Sequence, residues 1–148
     1  MNILQVCLSY GWGGLEMYVL ELTKLLRKKG HNVNLLTAVN SSLNQKAEDF
    51  TPLCLKPRMK YLDLLGIWRI RDIIHDLKPE VIHLHCAGDL WLVVPAVDKS
   101  RQNTRLIFTD HMASVYPKKD LLHRLLYGKL KWAIVTTEEG RKKMLASC

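Results

Sequence analysis

Three short stretches hold the residues whose types and spacing could do chemistry. The first is Gly11-Trp12-Gly13-Gly14, followed by Glu16. Glycines let a backbone come close to a ligand, and a helix opening just after them offers unpaired N–H groups to an anion. The second is His83-Leu84-His85. In a strand, both imidazoles would share one face. The third is Thr109-Asp110-His111, whose imidazole could donate to a phosphate or a sugar hydroxyl and titrates near neutrality. Each stretch also has a plain structural reading: a tight turn, satisfied core histidines, and a capping cluster for the next helix.

Several chemistries fail on spacing. The glycine pattern is G-x-G-G-x-E, with Glu16 where the dinucleotide fingerprint has its third glycine. Thr37-Ala38-Val39-Asn40 offers no acidic residue to hold a ribose, so a nicotinamide or flavin cofactor is disfavoured. His83 and His85 have no carboxylate or thiolate in ligand spacing apart from Cys86, and no metal or other cofactor is expected. Asp110 and His111 could join Ser9, Thr109 or Ser114 in a hydrolytic triad, but none of these sits in a G-x-S-x-G elbow. The first apolar run ends at Cys7-Leu8-Ser9, without the acidic pair of a phosphoacceptor.

The elements that must position these residues can be read from periodicity. Apolar runs predict strands over 2–9, 31–37, 52–55, 81–85, 105–109 and 132–135. Leu15, Tyr18, Val19, Leu22, Leu25 and Leu26 form one helix face, which Gly30 ends. Residues 39–51 are polar and read as loop. A helix over 61–77 carries Ile67, Ile70, Ile74 and Leu77 on one stripe and stops at Lys78-Pro79. Asp89 is placed to N-cap a helix that contains Pro95. Pro117 suits the first turn of a helix striped by Leu121, Leu122, Leu125, Leu126 and Leu130. Thr136-Thr137-Glu138-Glu139 fits a capping box that opens the last helix.

Strands alternating with helices imply an α/β fold: a Rossmann-like, doubly wound parallel sheet of about six strands with helices on both faces. Ligands of such sheets gather at the carboxyl ends of the strands, near the point where strand order reverses. All three stretches fall at strand ends, so the fold would bring them together.

Length and composition fit one domain over 1–148. A chain of 148 residues can bury roughly two-thirds of its unfolded surface. The net charge of +8 admits nucleic acid, an anionic membrane or a phosphorylated substrate. Arg27-Lys28-Lys29 closes one helix, where cations suit the helix dipole, and the other basic residues are scattered. With no groove-entering motif, a nucleic-acid partner is not expected, and a peripheral membrane contact fits the charge better. The start lacks a secretion signal, and the longest apolar run, Leu90 to Val97, is shorter than the about 18 residues of a membrane span. Cys7, Cys54, Cys86 and Cys148 show no C-x-x-C spacing and read as reduced thiols of a cytoplasmic protein, at most peripheral at the inner face of the membrane.

Taken in order, these segments resemble one family. Gly13-Gly14-Leu15-Glu16, Leu22 through Leu26, and Lys29-Gly30-His31-Asn32-Val33 are similar to the opening of the N-terminal domain of the retaining glycosyltransferases of family 4, which have the GT-B fold. Lys78-Pro79-Glu80-Val81-Ile82-His83-Leu84-His85, Leu106 through His111, and Trp132 through Thr136 continue the resemblance over nearly the whole chain.

The resemblance implies an acceptor-side domain. Gly13 and Gly14 would lie against the phosphates of a nucleotide-sugar donor, and His111 would touch the transferred sugar as the catalytic residue. Glu16, His85 and Asp110 would be further substrate-binding residues of the cleft. The acceptor would be a saccharide or a lipid-linked molecule. The family's nucleotide-binding residues, including an E-x7-E pair, belong to a second, C-terminal domain, and no glutamate here has a partner eight positions on. No D-x-D pair is present, and Thr136-Thr137 stands where serine is commoner. Little or no transfer by this chain alone is therefore expected, since donor and acceptor must be held in one geometry. Two alternatives stand beside this reading. The chain could be the acceptor-binding subunit of a split enzyme, or a stand-alone module that binds nucleotide or phosphate on its glycine loop.

Overall fold

The computed structural model describes residues 1–57, 63–97, 103–111 and 121–147. The expectations placed on Tyr61, Ser114, Pro117 and Cys148 lie outside the described residues. Six strands run β1 (Asn2–Cys7), β2 (Asn32–Ala38), β3 (Leu53–Leu55), β4 (Val81–Leu84), β5 (Arg105–Asp110) and β6 (Trp132–Val135). The helices are α1 (Gly14–Lys28), α2 (Ser42–Lys46), α3 (Leu64–Leu77), α4 (Leu90–Ala96), α5 (Leu121–Tyr127) and α6 (Glu138–Ser147).

The strands form one parallel sheet in the order β3-β2-β1-β4-β5-β6. This is the doubly wound Rossmann-like order, as expected from the alternation of elements. Pleating sorts the side chains of each strand onto two faces. Leu4, Val6, Ile82 and Leu84 point to one face and meet Ile70 and Ile74 of α3 and Leu90 and Val93 of α4. Cys7 and Leu35 point to the other and meet Val19 and Leu20 of α1 and Leu43 of α2. The central strands β1 and β4 are fully covered, so they read as continuous apolar runs.

The local details depart from the periodicity in four places. Residues 39–51 are not all loop: Ser41 accepts from Asn44 N at 3.1 Å and starts α2. That helix matters for the glycine loop, because Lys46 Nζ sits 4.9 Å from the Trp12 ring centroid. The buried face of α1 is Glu16, Val19, Leu20 and Thr23, while Tyr18 and Leu25 are 43% and 50% exposed. Glu16 accepts a bond from Gly13 N (2.8 Å), and Tyr18 lies on the helix flank, edge-on to the His85 and His111 rings. Arg27 does more than face the helix dipole, since its guanidinium donates to Val33 O from Nε (2.9 Å) and Nη2 (2.6 Å). Thr137 rather than Thr136 opens α6, its Oγ1 accepting from Gly140 N at 3.0 Å, so Gly140 and not a glutamate takes the third helical position.

Gly30 follows α1 with φ of +83°, the left-handed backbone that ends helices and suits glycine. Asp89 holds the N-cap position of α4 without capping it. Its carboxylate instead accepts from Leu8 N at 3.0 Å. This clasp joins the end of β1 to the start of α4 across the point where the strand order reverses. Burial pushes the Asp89 carboxyl up to about 7, although the Leu8 N–H and the Cys86 thiol both favour its ionised form. Asp89→Ala would leave Leu8 N–H buried without an acceptor. It is expected to cost about 1–3 kcal/mol of unfolding free energy by urea denaturation. Asp89→Asn, which keeps an oxygen in place, should cost less.

Candidate functional site

The face of the sheet that carries α1 changes character along the strands. It begins apolar with Ile3 and Val81 and becomes polar toward the carboxyl ends. Gln5 pairs in register with His83, and Cys7, His85, Thr109 and His111 follow. The three stretches singled out by residue type meet here. A cleft of about 590 Å³ at these strand ends is lined by Gly13, Gly14, Glu16, His85, Asp110 and His111, together with Ser9 and Cys86.

The three imidazoles form a contiguous cluster. His83 Nε2 meets Thr109 Oγ1 at 2.7 Å, and His85 Nε2 meets Gln5 Oε1 at 2.5 Å. His85 Nδ1 and His111 Nε2 are 3.3 Å apart. The His83 and His85 ring centroids lie 4.2 Å apart, confirming that both point to one face. Tyr18 closes the cluster, edge-on to His111 at 4.9 Å between centroids. His83 is a satisfied core histidine. His85, only 2% exposed, borders the cleft from beneath and reaches it through His111. Among the described residues, no group of three His, Cys, Asp or Glu side chains is arranged to hold a metal ion.

Burial sets the protonation of this cluster. It lowers His83 to about 4, with the His111 charge adding to the effect. It lowers His85 to about 2, helped by His83 and His111. His111 is also lowered by burial, against opposing pulls from Asp110 and Glu16. The neutral imidazole is thus the resting form of all three at neutral pH. Cys7 and Cys86 face each other at 3.8 Å. The bond to Cys7 and then burial push the Cys86 thiol up, so it stays protonated and unreactive.

The glycine loop is open for a reason other than its own backbone. Gly13 is extended, with φ of −161° and ψ of −161°, a conformation any residue adopts. A Cβ on Gly14 would meet nothing within 4 Å, and one on Gly13 would meet only Glu16 Oε2, at an ordinary 3.6 Å. The missing side chains therefore leave free space over the cleft. The first turn of α1 forms the same wall, so its partial positive charge faces that space. Glu16 shares this helix start but is committed to Gly13 N–H.

Sequence reasoning misses Gln5 and Tyr18. Gln5 has a readable signal, a lone amide in the middle of an apolar run. The spacing puts Tyr18 on the core face of α1, and it brings in Cys86 only as the thiol beside the His83-Leu84-His85 strand.

The histidines make stability depend on pH. Their folded values lie below the ordinary 6.5, so the unfolded chain takes up protons that the folded chain refuses. Their contribution is fully present above pH 6.5 and is lost as pH falls toward about 4. Asp89 works in the opposite sense, holding its proton in the fold up to about pH 7. Three imidazoles outweigh one carboxyl, so Tm followed by circular dichroism should fall between pH 6.5 and 4. His83→Asn should make the fall shallower, and Asp89→Asn should make it steeper.

Solved structures share the fold at low identity. A glycosyltransferase from Rickettsia africae ESF-5 superposes with a TM-score of 0.74 at 19% identity, over 97% of this chain and 38% of its own. Anabaena Alr3699/HepE, solved in complex with UDP, gives 0.76 at 15% identity, over 99% of this chain and 41% of its own. MurG of Acinetobacter baumannii gives 0.67 at 11% identity, over 94% and 43%. The chain thus spans about two fifths of the length of these structures. No curated protein sequence matches it. The sequence profile of Glycosyltransferase Family 4 matches residues 12–144, and with nine-tenths of its length inside that match the chain belongs to this family.

Proposed function

We propose that this domain forms the acceptor-side wall of a nucleotide-sugar-dependent glycosyltransferase. One observation carries the reading. The glycine loop meets His111 at the carboxyl edge of the sheet, and Gly13 and Gly14 leave space there that the fold does not need. Under this reading the donor diphosphate lies against Gly13 and Gly14 at the start of α1. His111 touches the transferred sugar as the catalytic residue, and Asp110 and Glu16 border the substrate. His85 supports His111 from below. A saccharide or lipid-linked acceptor enters from this domain's side.

The nucleotide is held by a second, C-terminal domain or by a partner chain, in keeping with the family pattern. Transfer then needs both walls, because reacting groups must be held in one geometry and the leaving diphosphate needs charge stabilisation. Alone, this domain transfers little or nothing. Sugar transfer needs no redox cofactor, and the reading assigns it no metal. A net charge of +8 and no helix, among the described residues, long and apolar enough to cross a membrane fit a cytoplasmic domain that touches a membrane peripherally. Nucleic acid has no part in it.

Calorimetric titration of the chain with UDP, GDP and their sugar forms tests the reading. HepE, of the same fold, was solved with UDP and glucose, which makes UDP the first ligand to try. Absent or millimolar binding is expected. Micromolar binding that Gly13→Val removes would replace the reading with a stand-alone nucleotide module. In a protein that carries both halves, His111→Ala should lower kcat by about 10²-fold or more without loss of folding.

A further inference from the structure

Gln5 is fully buried in β1, where the other buried residues are Ile3, Leu4, Val6 and Cys7. A buried amide is costly unless bonded. Its Oε1 meets His85 Nε2 at 2.5 Å, and its Nε2 has no partner among the described residues. The side chain thus makes one bond, to one imidazole. Apolar packing would be served better by leucine, which would leave no orphaned N–H group.

That one bond sets the next two. An amide oxygen only accepts, so His85 Nε2 carries the proton. A neutral imidazole has a single N–H, so His85 Nδ1 is bare and accepts. It faces His111 Nε2 at 3.3 Å, which is then the donor. His83 is engaged by Thr109 and does not compete for the row. His111, neutral and donating from Nε2, keeps Nδ1 without a proton.

We propose that Gln5 is a positioning residue that acts through His85 to fix His111 as its Nε2–H tautomer, offering the cleft a hydrogen-bond acceptor suited to a substrate hydroxyl and not to a phosphate oxygen. This deepens the preceding reading and rests on it for the statement that His111 meets the sugar. A bare nitrogen repels phosphate oxygens and accepts from hydroxyls. This character of His111 suits the division of labour of that reading, in which His111 meets the sugar and the glycine loop with the start of α1 meets the diphosphate. Tyr18 packs edge-on against His111 and His85 and keeps the rings in place.

The test is the tautomer itself. Long-range 1H–15N correlation spectra of the 15N-labelled chain near pH 7.5 distinguish Nε2–H from Nδ1–H imidazoles. His85 and His111 are both expected as Nε2–H. Gln5→Leu removes the acceptor, and His111 should move to Nδ1–H or to an exchange-averaged pattern. Gln5→Glu keeps an acceptor oxygen, so the pattern should stay while His85 titrates about one unit or more higher. An Nδ1–H His111 in the unaltered chain overturns the proposal. So does a Gln5→Leu chain with unchanged tautomers, or a Gln5→Glu chain in which His111 switches. If Gln5→Leu does not fold, the unaltered chain and Gln5→Glu decide. The spectra need no donor, acceptor or second domain, so failure here is separate from failure of the transferase reading.

Discussion

Between β1 and β4 the chain leaves the sheet in opposite directions. The loop after β1 leads into α1 on one face, while the loop after β4 leads into α4 on the other. No helix can cover the gap that this reversal opens at the strand ends. The loops on its two sides hold the cleft apart, and the buried Leu8–Asp89 bond keeps them in register across it. Every candidate residue is positioned by that arrangement. Gly13 and Gly14 lie on the β1 side, His85 and Cys86 on the β4 side, and Asp110 and His111 arrive from β5 next door.

A polar row inside an apolar sheet has consequences for both stability and chemistry. Gln5, His83, His85 and Thr109 are all nearly or fully buried, where an unpaired polar atom is expensive. Three of the four are satisfied by each other or by His111, and the Gln5 amide nitrogen alone is not. Burial also keeps the imidazoles neutral, which a hydrogen-bond row with defined direction requires. The same environment therefore weakens the fold in acid and gives the cleft a fixed hydrogen-bonding character at neutral pH. Cys7 and the protonated Cys86 thiol pack against each other beside this row.

Much of the fold is legible in the sequence because the central strands β1 and β4, buried on both faces, leave a strong signal, while the edge strand β6 shows as an apolar run although it is largely exposed. All six strands fall within two residues of the apolar runs that announced them. Gly30 marks a helix end through its own left-handed backbone, and α3 stops before Pro79, although Lys78 takes left-handed backbone (φ 47°) and not the extended form expected before proline. Residues 39–51 were less legible, since α2 has only five residues and depends on the Ser41 cap more than on periodicity. The rotation of α1 was hidden for a different reason. Glu16 reads as a surface residue, yet it is buried and accepts from Gly13 N–H, while Tyr18 lies on the flank. At the site, glycines and histidines stand out by type, whereas Gln5 stands out only as a lone amide in an apolar run and gains its partner when the sheet places it diagonally across from His85.

The glycine loop shows how far fold and function separate here. Gly30 is required by its own backbone, but Gly13 and Gly14 are not. Side chains at 13 and 14 would fit the domain and fill the cleft. What the loop preserves is empty space beside a helix start that attracts anions. Glu16 places a carboxylate at that same helix start, where it satisfies Gly13 N–H and partly offsets the dipole. On the proposed reading, a single wall of this kind would hold a diphosphate weakly, because its helix start is already partly neutralised. Water exclusion and further positive charge would have to come from whatever closes over the cleft. The domain's own contribution is geometric: a rigid sheet edge that sets the distance between an anion-attracting helix start and a neutral, oriented imidazole.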